Sequence, residues 1–177
     1  MESWEWIVLG VTIVLALVLL ATLVRIRTRR SHLKTRFGPE YTRAVSDSGT
    51  SDAERRLSAI EHERENLELR PLPAVTRDRY LDEWRQTEAR FVSDPPDATR
   101  AAERLVVRVL AERGYPQGDD DEQLVALVSV DHPDVADRYR HGHAMLENAE
   151  STENLRKAML DFRAVLEDVL QGARTAA

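Results

Sequence analysis

The stretch "STENLRKAMLDFRAVLEDVLQG", residues 151–172, decides the fold of the C-terminal part of the chain. Its large apolar residues recur at intervals of three and four, and they are Leu155, Met159, Phe162, Leu166 and Leu170. That spacing puts them on one face of a helix and leaves the charged residues on the other. The stretch therefore predicts an amphipathic helix, capped at Ser151, which packs its apolar face in a helical bundle.

The same period continues toward the N-terminus as far as residue 70. The predicted faces are Tyr80, Trp84 and Phe91 on one helix, Ala102, Leu105, Val106, Val109 and Leu110 on the next, a short helix at Glu122–Val128, and Val135, Tyr139 and Leu146 on a fourth. No run of β-branched residues alternates as a strand would. We therefore predict an all-α chain in which residues 70–172 form a helical bundle, followed by a tail at 173–177. The aromatic residues Trp84, Tyr139 and Phe162 are expected in its core rather than in a ligand site.

Residues 37–69 predict a charged helical arm. Pro39 begins a short helix that Gly49 ends, and Ser51 with Glu54 forms a capping box for a second helix, which runs to Leu69. Its apolar strip is narrow and consists of Ala53, Leu57, Ile60 and Leu67, interrupted by Arg64. Such a strip is typical of a stalk or a coiled-coil-like arm. It needs a covering surface on its own chain, a second copy or a partner protein.

The N-terminal stretch contains eighteen uncharged, mainly apolar residues from Ile7 to Val24. As a helix they extend about 27 Å, close to the roughly 30 Å of a bilayer's hydrocarbon core. Acidic Glu2 and Glu5 precede the stretch, and no small-residue cleavage site follows it, so a cleaved signal peptide is disfavoured. We predict a transmembrane helix at 7–24 after a short external segment at 1–6.

Basic residues follow the predicted span at once and define a juxtamembrane segment at 25–36. They are Arg25, Arg27, Arg29, Arg30, Lys34 and Arg36, and no basic residue precedes the span. Because Lys and Arg near a span stay on the cytoplasmic side, we expect the N-terminus outside and the helical domain in the cytoplasm, at the plasma membrane. The expected membrane-interface residues are Trp4, Trp6, Arg25, Arg27, Arg29 and Arg30.

Charge also limits the partners. The chain has a net charge of −6 although six of its 25 Lys and Arg residues lie in the basic segment, so the remainder is more acidic. An acidic surface repels phosphates, which disfavours nucleic acid as a partner. The basic segment can contact anionic lipid headgroups, although a topology signal alone is the simpler interpretation. The chain has no Cys, which agrees with a cytoplasmic location and removes thiol chemistry.

Motifs for catalysis or cofactor binding are missing from the sequence. "HEREN" at 62–66 begins like a zinc-protease helix but has Asn66 where the second His is needed. His141 and His143 lie two apart, which points them to opposite sides of a helix. Oxygen-rich loops at Asp119–Asp121 and Asp131, near His132, could bind Ca²⁺ or Mg²⁺, but helix capping is the favoured interpretation. We predict no catalytic, cofactor-binding or metal-binding residue.

Several motifs occur in an order that resembles a family of uncharacterised bacterial membrane-anchored helical proteins. They are "RFGPEY" at 36–41, "LRPL" at 69–72, "RYLDEWRQTEARFVSDP" at 79–95, "ERGYP" at 112–116, "SVDHPDVADRYR" at 129–140 and "STENLRKAMLDFRAVLEDVL" at 151–170. The resemblance covers roughly residues 36–170. It implies the location and the fold, and it brings no assigned activity or site.

Three functional classes remain open. The leading one is a membrane-tethered interaction or scaffold module that binds an unknown protein or a second copy. A ligand-sensing regulatory bundle is the alternative. An enzyme is the least favoured, because no group of polar residues suggests an acid, a base or a nucleophile.

Overall fold

A computed structural model describes the backbone of residues 3–117 and 121–171, and the side chains of 12–28, 30–117 and 122–171. Within these residues the chain is all-α, with eight helices and no strand, which confirms the predicted fold class. The helices are α1 (Ser3–Phe37), α2 (Pro39–Ser48), α3 (Thr50–Glu65), α4 (Ala74–Arg90), α5 (Pro95–Glu112), α6 (Asp121–Asp131), α7 (Pro133–Glu147) and α8 (Thr152–Gln171). The predicted tail at 173–177 lies outside the described residues.

Helix α1 is 35 residues long and contains both the apolar stretch and the basic segment. In the part of the chain that the structure describes, no helix is long and apolar enough to cross a membrane. The predicted span begins at Ile7, and the side chains of residues 7–11 lie outside that part.

The C-terminal end of α1 belongs to the folded domain. Leu33 and Phe37 are fully buried in its core. Gly38 then reverses the chain with a φ of 51°, a conformation that glycine adopts without strain. Its Cα lies beside Pro133, since a Cβ on Gly38 would be 3.4 Å from the proline Cβ. Pro39 begins α2 as predicted. The basic segment is therefore not a flexible linker, because it continues as a helix into the core.

The predicted arm packs on its own chain. Ala53, Leu57 and Ile60 are buried, and α3 contacts α2, α1 and α6. Two ion pairs at successive levels, Arg30–Glu54 and Arg36–Glu61, show that α1 and α3 run in the same direction. Because α2 lies between them in the chain and packs on both, it runs back along α1.

Two details of the predicted arm are wrong. Gly49 ends α2 and is also the N-cap of α3, so Ser51 already lies inside the helix and forms no capping box; Glu54 instead accepts a hydrogen bond from Tyr41. Helix α3 ends at Glu65 rather than Leu69. The chain beyond it is held by α5, since the backbone N–H of Arg70 donates to the carbonyl of Arg113 at 2.8 Å.

Helix α6 is the most deeply covered element of the domain. It runs to Asp131, three residues beyond the predicted helix, and every residue from 124 to 130 is buried. It lies between α3 and α7 and also contacts α1. One apolar cluster consequently extends from Leu33 in α1 through α6 to Leu170 in α8.

Helices α4, α5, α7 and α8 form the rest of the bundle. The carboxylate of Asp94 accepts from the backbone N–H of Asp97 at 3.1 Å and so caps the N-terminus of α5. The predicted stripe on α8 is buried throughout, as are Trp84 and Tyr139. Gly142 allows α7 and α8 to approach closely, because a Cβ there would lie 3.1 Å from the ring of Phe162.

Candidate functional site

A cleft opens where α2 and α6 both meet α7. Its volume is about 370 Å³, and its lining side chains are Arg43 from α2, Glu122 and Val125 from α6, and Tyr139, Arg140 and His143 from α7. This size lies within the range of small-molecule sites, which hold a few polar groups on an apolar wall. Charged and apolar side chains from three helices converge there.

A buried ion pair ties α2 to α7 at the edge of the cleft. Nη1 of Arg140 lies 2.5 Å from Oε2 of Glu40 and 3.9 Å from Asp137. The Glu40 side chain is 8% exposed and that of Arg140 is 19% exposed, so the pair is largely shielded from water. Glu40 also lies in the first turn of α2, where the helix dipole favours a negative charge. The pair therefore fixes the Arg140 guanidinium at the cleft.

The wall of the cleft on α7 is aromatic. The rings of Tyr139 and His143 are nearly parallel, with centroids 6.3 Å apart, and Tyr139 packs edge-on against Phe162 at 5.9 Å. Nδ1 of His143 lies 2.6 Å from Oε1 of Glu103 on α5. These contacts hold both rings in place beside the charged groups.

A second polar cluster joins α3 to the C-terminal end of α6. Arg64, which interrupts the predicted strip of the arm, pairs with Asp131. The Tyr115 hydroxyl donates to the same carboxylate at 3.2 Å. Burial, and secondly the Asp131 charge, raise the pKa of Tyr115 to about 12. Asp131 thus serves as the acceptor in a tie between elements, and α7 has His132 as its N-cap without a side-chain cap bond.

Three histidines each lie beside a different carboxylate. His132 lies 2.7 Å from Asp168, and His141 lies 2.5 Å from Asp161, while His143 reaches the separate Glu103. His62 of the "HEREN" motif is exposed near Glu65. Among the described residues no three His, Asp or Glu side chains are grouped so that they could hold a metal ion. Asp119 and Asp120, and the side chain of Asp121, lie outside those residues.

The expected membrane-interface residues divide into two groups. Arg25 and Arg27 are exposed, whereas Nε of Arg30 lies 2.8 Å from Glu54 of α3. Further along α1, Arg36 and His32 both contact Glu61. The side chains of Trp4, Trp6 and Arg29 are not among those described. The basic segment thus changes along its length from exposed charges to charges paired with the domain.

Sequence reasoning missed Glu40, Arg43 and Arg140. One signal was available: Glu40 shares a face of α2 with Ala44, so a charge lies on the buried side and requires a partner. The partner is 100 residues away in the chain, and nothing in the local pattern identifies it.

The resemblance to uncharacterised membrane-anchored proteins stays a prediction. No family model, no curated protein and no solved structure matches this chain.

Proposed function

We propose that the chain is a single-pass membrane protein whose helical domain lies in the cytoplasm and acts as a protein-interaction or scaffold module without enzymatic activity. The exposed apolar part of α1 carries this proposal. Its large apolar residues are between 47% and 64% exposed, and they are Ile13, Val14, Leu15, Leu17, Val18, Leu19, Leu20, Leu23, Val24 and Ile26. Successive residues turn by about 100°, so they occupy every face of the helix.

Water is a poor environment for that surface. Full burial of one such side chain contributes about 1.5–3 kcal/mol, so covering ten of them contributes on the order of 10 kcal/mol or more. A helix that is apolar on all sides is found in a protein core or in a bilayer. No part of the described domain covers this stretch. A lipid bilayer supplies the missing cover if residues 7–11 complete the span.

The flanking charge supports the orientation. Arg25 and Arg27 are exposed directly after the apolar stretch, where cytoplasmic anchors of a span lie. Each such residue adds about 1 kcal/mol of attraction to an anionic leaflet, so anionic headgroups are proposed contacts. Membership of the bacterial family named above is part of the same proposal.

The surface of the bundle supports the interaction role. A shallow apolar groove of about 110 Å³ lies between α4 and α8, lined in part by Trp84, Phe91 and Leu160. Leu160 is 52% exposed, and Val92, next to Phe91, is 90% exposed. Apolar side chains grouped beside a groove are typical of a protein contact. The proposed partner is another protein or a second copy of the chain.

The anchor is tested by fractionation and by protease protection in cells. We expect the full-length chain to stay with membranes at alkaline pH and residues 31–177 to resist protease added outside intact cells. Digestion of the domain from outside would reverse the topology. Release of the chain by alkali would remove the anchor.

The interaction role is tested by in-cell crosslinking followed by purification from membranes. Leu160→Glu should abolish a specific crosslinked species. Val75→Glu is the matched control, because Val75 is 82% exposed and does not line the groove. If both variants give the same products as the unmodified chain, the groove is not the contact surface.

A ligand-sensing regulatory bundle is the second candidate. The observation that favours it is the cleft between α2, α6 and α7, where Arg43 and Arg140 lie beside an aromatic wall.

A further inference from the structure

We propose that the cleft binds a small amphiphilic molecule with a single anionic group. Its carboxylate or phosphate is held by Arg43 and Arg140, and its apolar part lies on Val125 and the Tyr139 ring. The proposal deepens the ligand-sensing candidate and rests on it. It does not depend on the membrane anchor.

Arg43 supplies a cation that has no ion-pair partner among the described residues. Its side chain is exposed at the cleft, and within the described part of the chain it makes no hydrogen bond or ion pair. Arg30 and Arg56, by contrast, are paired with Glu54 and Glu122. An anion that enters the cleft therefore gains a charge-assisted contact without breaking an existing one.

Arg140 supplies a second, fixed donor group. A guanidinium has five N–H donors, and the two carboxylates that approach Arg140 both approach Nη1. Among the described residues, its remaining donors make no hydrogen bond or ion pair. The pair with Glu40 orients the group before any ligand arrives, which lowers the entropy lost on binding. Because the side chain is only 19% exposed, a hydrogen bond to it is weakly screened.

The other walls limit the class of ligand. Val125 and Tyr139 line the cleft but are each only 4% exposed, so they add a narrow apolar patch to its floor. Glu122 lines the cleft, and Glu103 lies behind His143. These carboxylates oppose a second anionic group on the ligand. A monoanion with a short apolar chain fits these features. Its charge pairs with Arg43 and Arg140, its chain contacts Val125 and Tyr139, and it has no second negative charge for the carboxylates to repel.

Such a ligand has two sources. One is a lipid headgroup, because Arg43 lies on α2, which packs beside α1. A soluble carboxylate or phosphate of the same chemistry could enter from solution.

The test measures binding of labelled octanoate to the full-length protein in zwitterionic nanodiscs by equilibrium dialysis, with empty discs subtracted. Arg43→Ala should weaken binding by about tenfold or more, and Arg43→Lys should restore part of it. The matched control is Arg138→Ala, which removes an exposed arginine of the same helix as Arg140 outside the cleft. Circular dichroism and the melting temperature confirm that each variant is folded.

A second arm identifies the source. In discs that contain anionic phosphatidylglycerol, reduced octanoate binding that depends on Arg43 assigns the cleft to a lipid headgroup, and unchanged binding assigns it to a soluble ligand. Both results support the site. Octanoate binding that is absent, or equal in Arg43→Ala and Arg138→Ala, overturns it. Failure to insert into discs would instead count against the anchor, so the two proposals fail separately.

Discussion

Two helical stretches of this chain are almost entirely apolar, and they differ in what covers them. Residues 124–130 of α6 are all buried by the surrounding helices. The large apolar residues of α1 between Ile13 and Ile26 are about half exposed. Apolar composition favours removal of a helix from water, but it does not distinguish a protein core from another apolar environment.

The polar residues that flank the two stretches also differ. Both ends of α6 have partners on α3: Glu122 pairs with Arg56, and Asp131 pairs with Arg64. The apolar part of α1 is instead followed by Arg25 and Arg27, which are exposed. Paired charges at both ends fix a helix inside a domain, whereas unpaired basic residues at one end are typical of a helix that ends at a membrane surface.

The largest effect is expected from Leu17→Arg combined with Leu20→Arg in α1. Each arginine costs about 2.5–3.5 kcal/mol at the centre of a membrane helix, so insertion should weaken by roughly 5–7 kcal/mol. Fractionation should show the chain leaving the membrane at alkaline pH. The free energy of unfolding of the domain should not change, because neither side chain packs on it. A variant that remains in the membrane would contradict the role of α1.

The converse substitution is Leu127→Ala in α6. Leu127 is 0% exposed, so the cavity and the lost burial should lower the free energy of unfolding by about 2–5 kcal/mol. Urea denaturation measures the change. Leu19→Ala, at a position 61% exposed, is the control and should alter the domain by less than about 0.5 kcal/mol. Equal effects of the two variants would refute the difference between the stretches.

Alkaline pH should loosen the C-terminal end of α6 through Tyr115. Its pKa is raised to about 12 from the usual 10.0, so the fold favours the neutral phenol. The resulting stability is present below pH 10 and is lost between pH 10 and 12, amounting to about 2 kcal/mol by pH 11.5. Tyr115→Phe cannot ionise and lacks this loss.

Urea unfolding at pH 8 and pH 11.5 provides the measurement. At pH 8 the variant should be less stable by about 1 kcal/mol, because it lacks the hydrogen bond to Asp131. At pH 11.5 the order should reverse. Parallel changes in the two proteins would show that the Tyr115 hydroxyl is not shielded.

The smallest effect concerns the basic residues after the span. In the non-inserting background described above, Arg25→Gln and Arg27→Gln should each weaken binding to anionic vesicles by about 1 kcal/mol, and 0.5 M salt should remove most of the difference. Vesicle sedimentation measures the affinity. Arg138→Gln, on the surface of the bundle, serves as the control. Should it weaken binding equally, the attraction would come from the domain as a whole.

The sequence predicted the parts of the fold that depend on local period. The stripe of α8 and the aromatic positions Trp84 and Tyr139 are buried as expected, since an amphipathic face needs only the 3.6-residue repeat to be recognised. The cap at Ser151 is also as expected, since its hydroxyl accepts from the backbone N–H of Asn154 at 3.2 Å. All of these features arise within a few residues of chain.

Features that depend on distant contacts were not predictable. Helix α3 stops at Glu65 because residues beyond it bond to the end of α5 through Arg70. The cleft requires Glu40 and Arg140 to meet from opposite halves of the chain. Arg64 interrupts the apolar strip of α3, and its partner Asp131 comes from the distant helix α6. A single sequence can indicate that a charged residue on an apolar face needs a partner, but the identity of that partner depends on the fold.

Because α1 is continuous, the number of its residues sets how the domain is rotated about the helix axis. Because the helix runs unbroken from the apolar stretch to Leu33 and Phe37 in the core, any rotation at one end is transmitted to the other. One residue inserted near Arg27 would turn the whole domain by about 100° about the helix axis and raise it by about 1.5 Å. Seven inserted residues would restore its direction to within about 20°. Whatever surface the domain presents to neighbours is thus set by the number of residues between Val24 and Leu33.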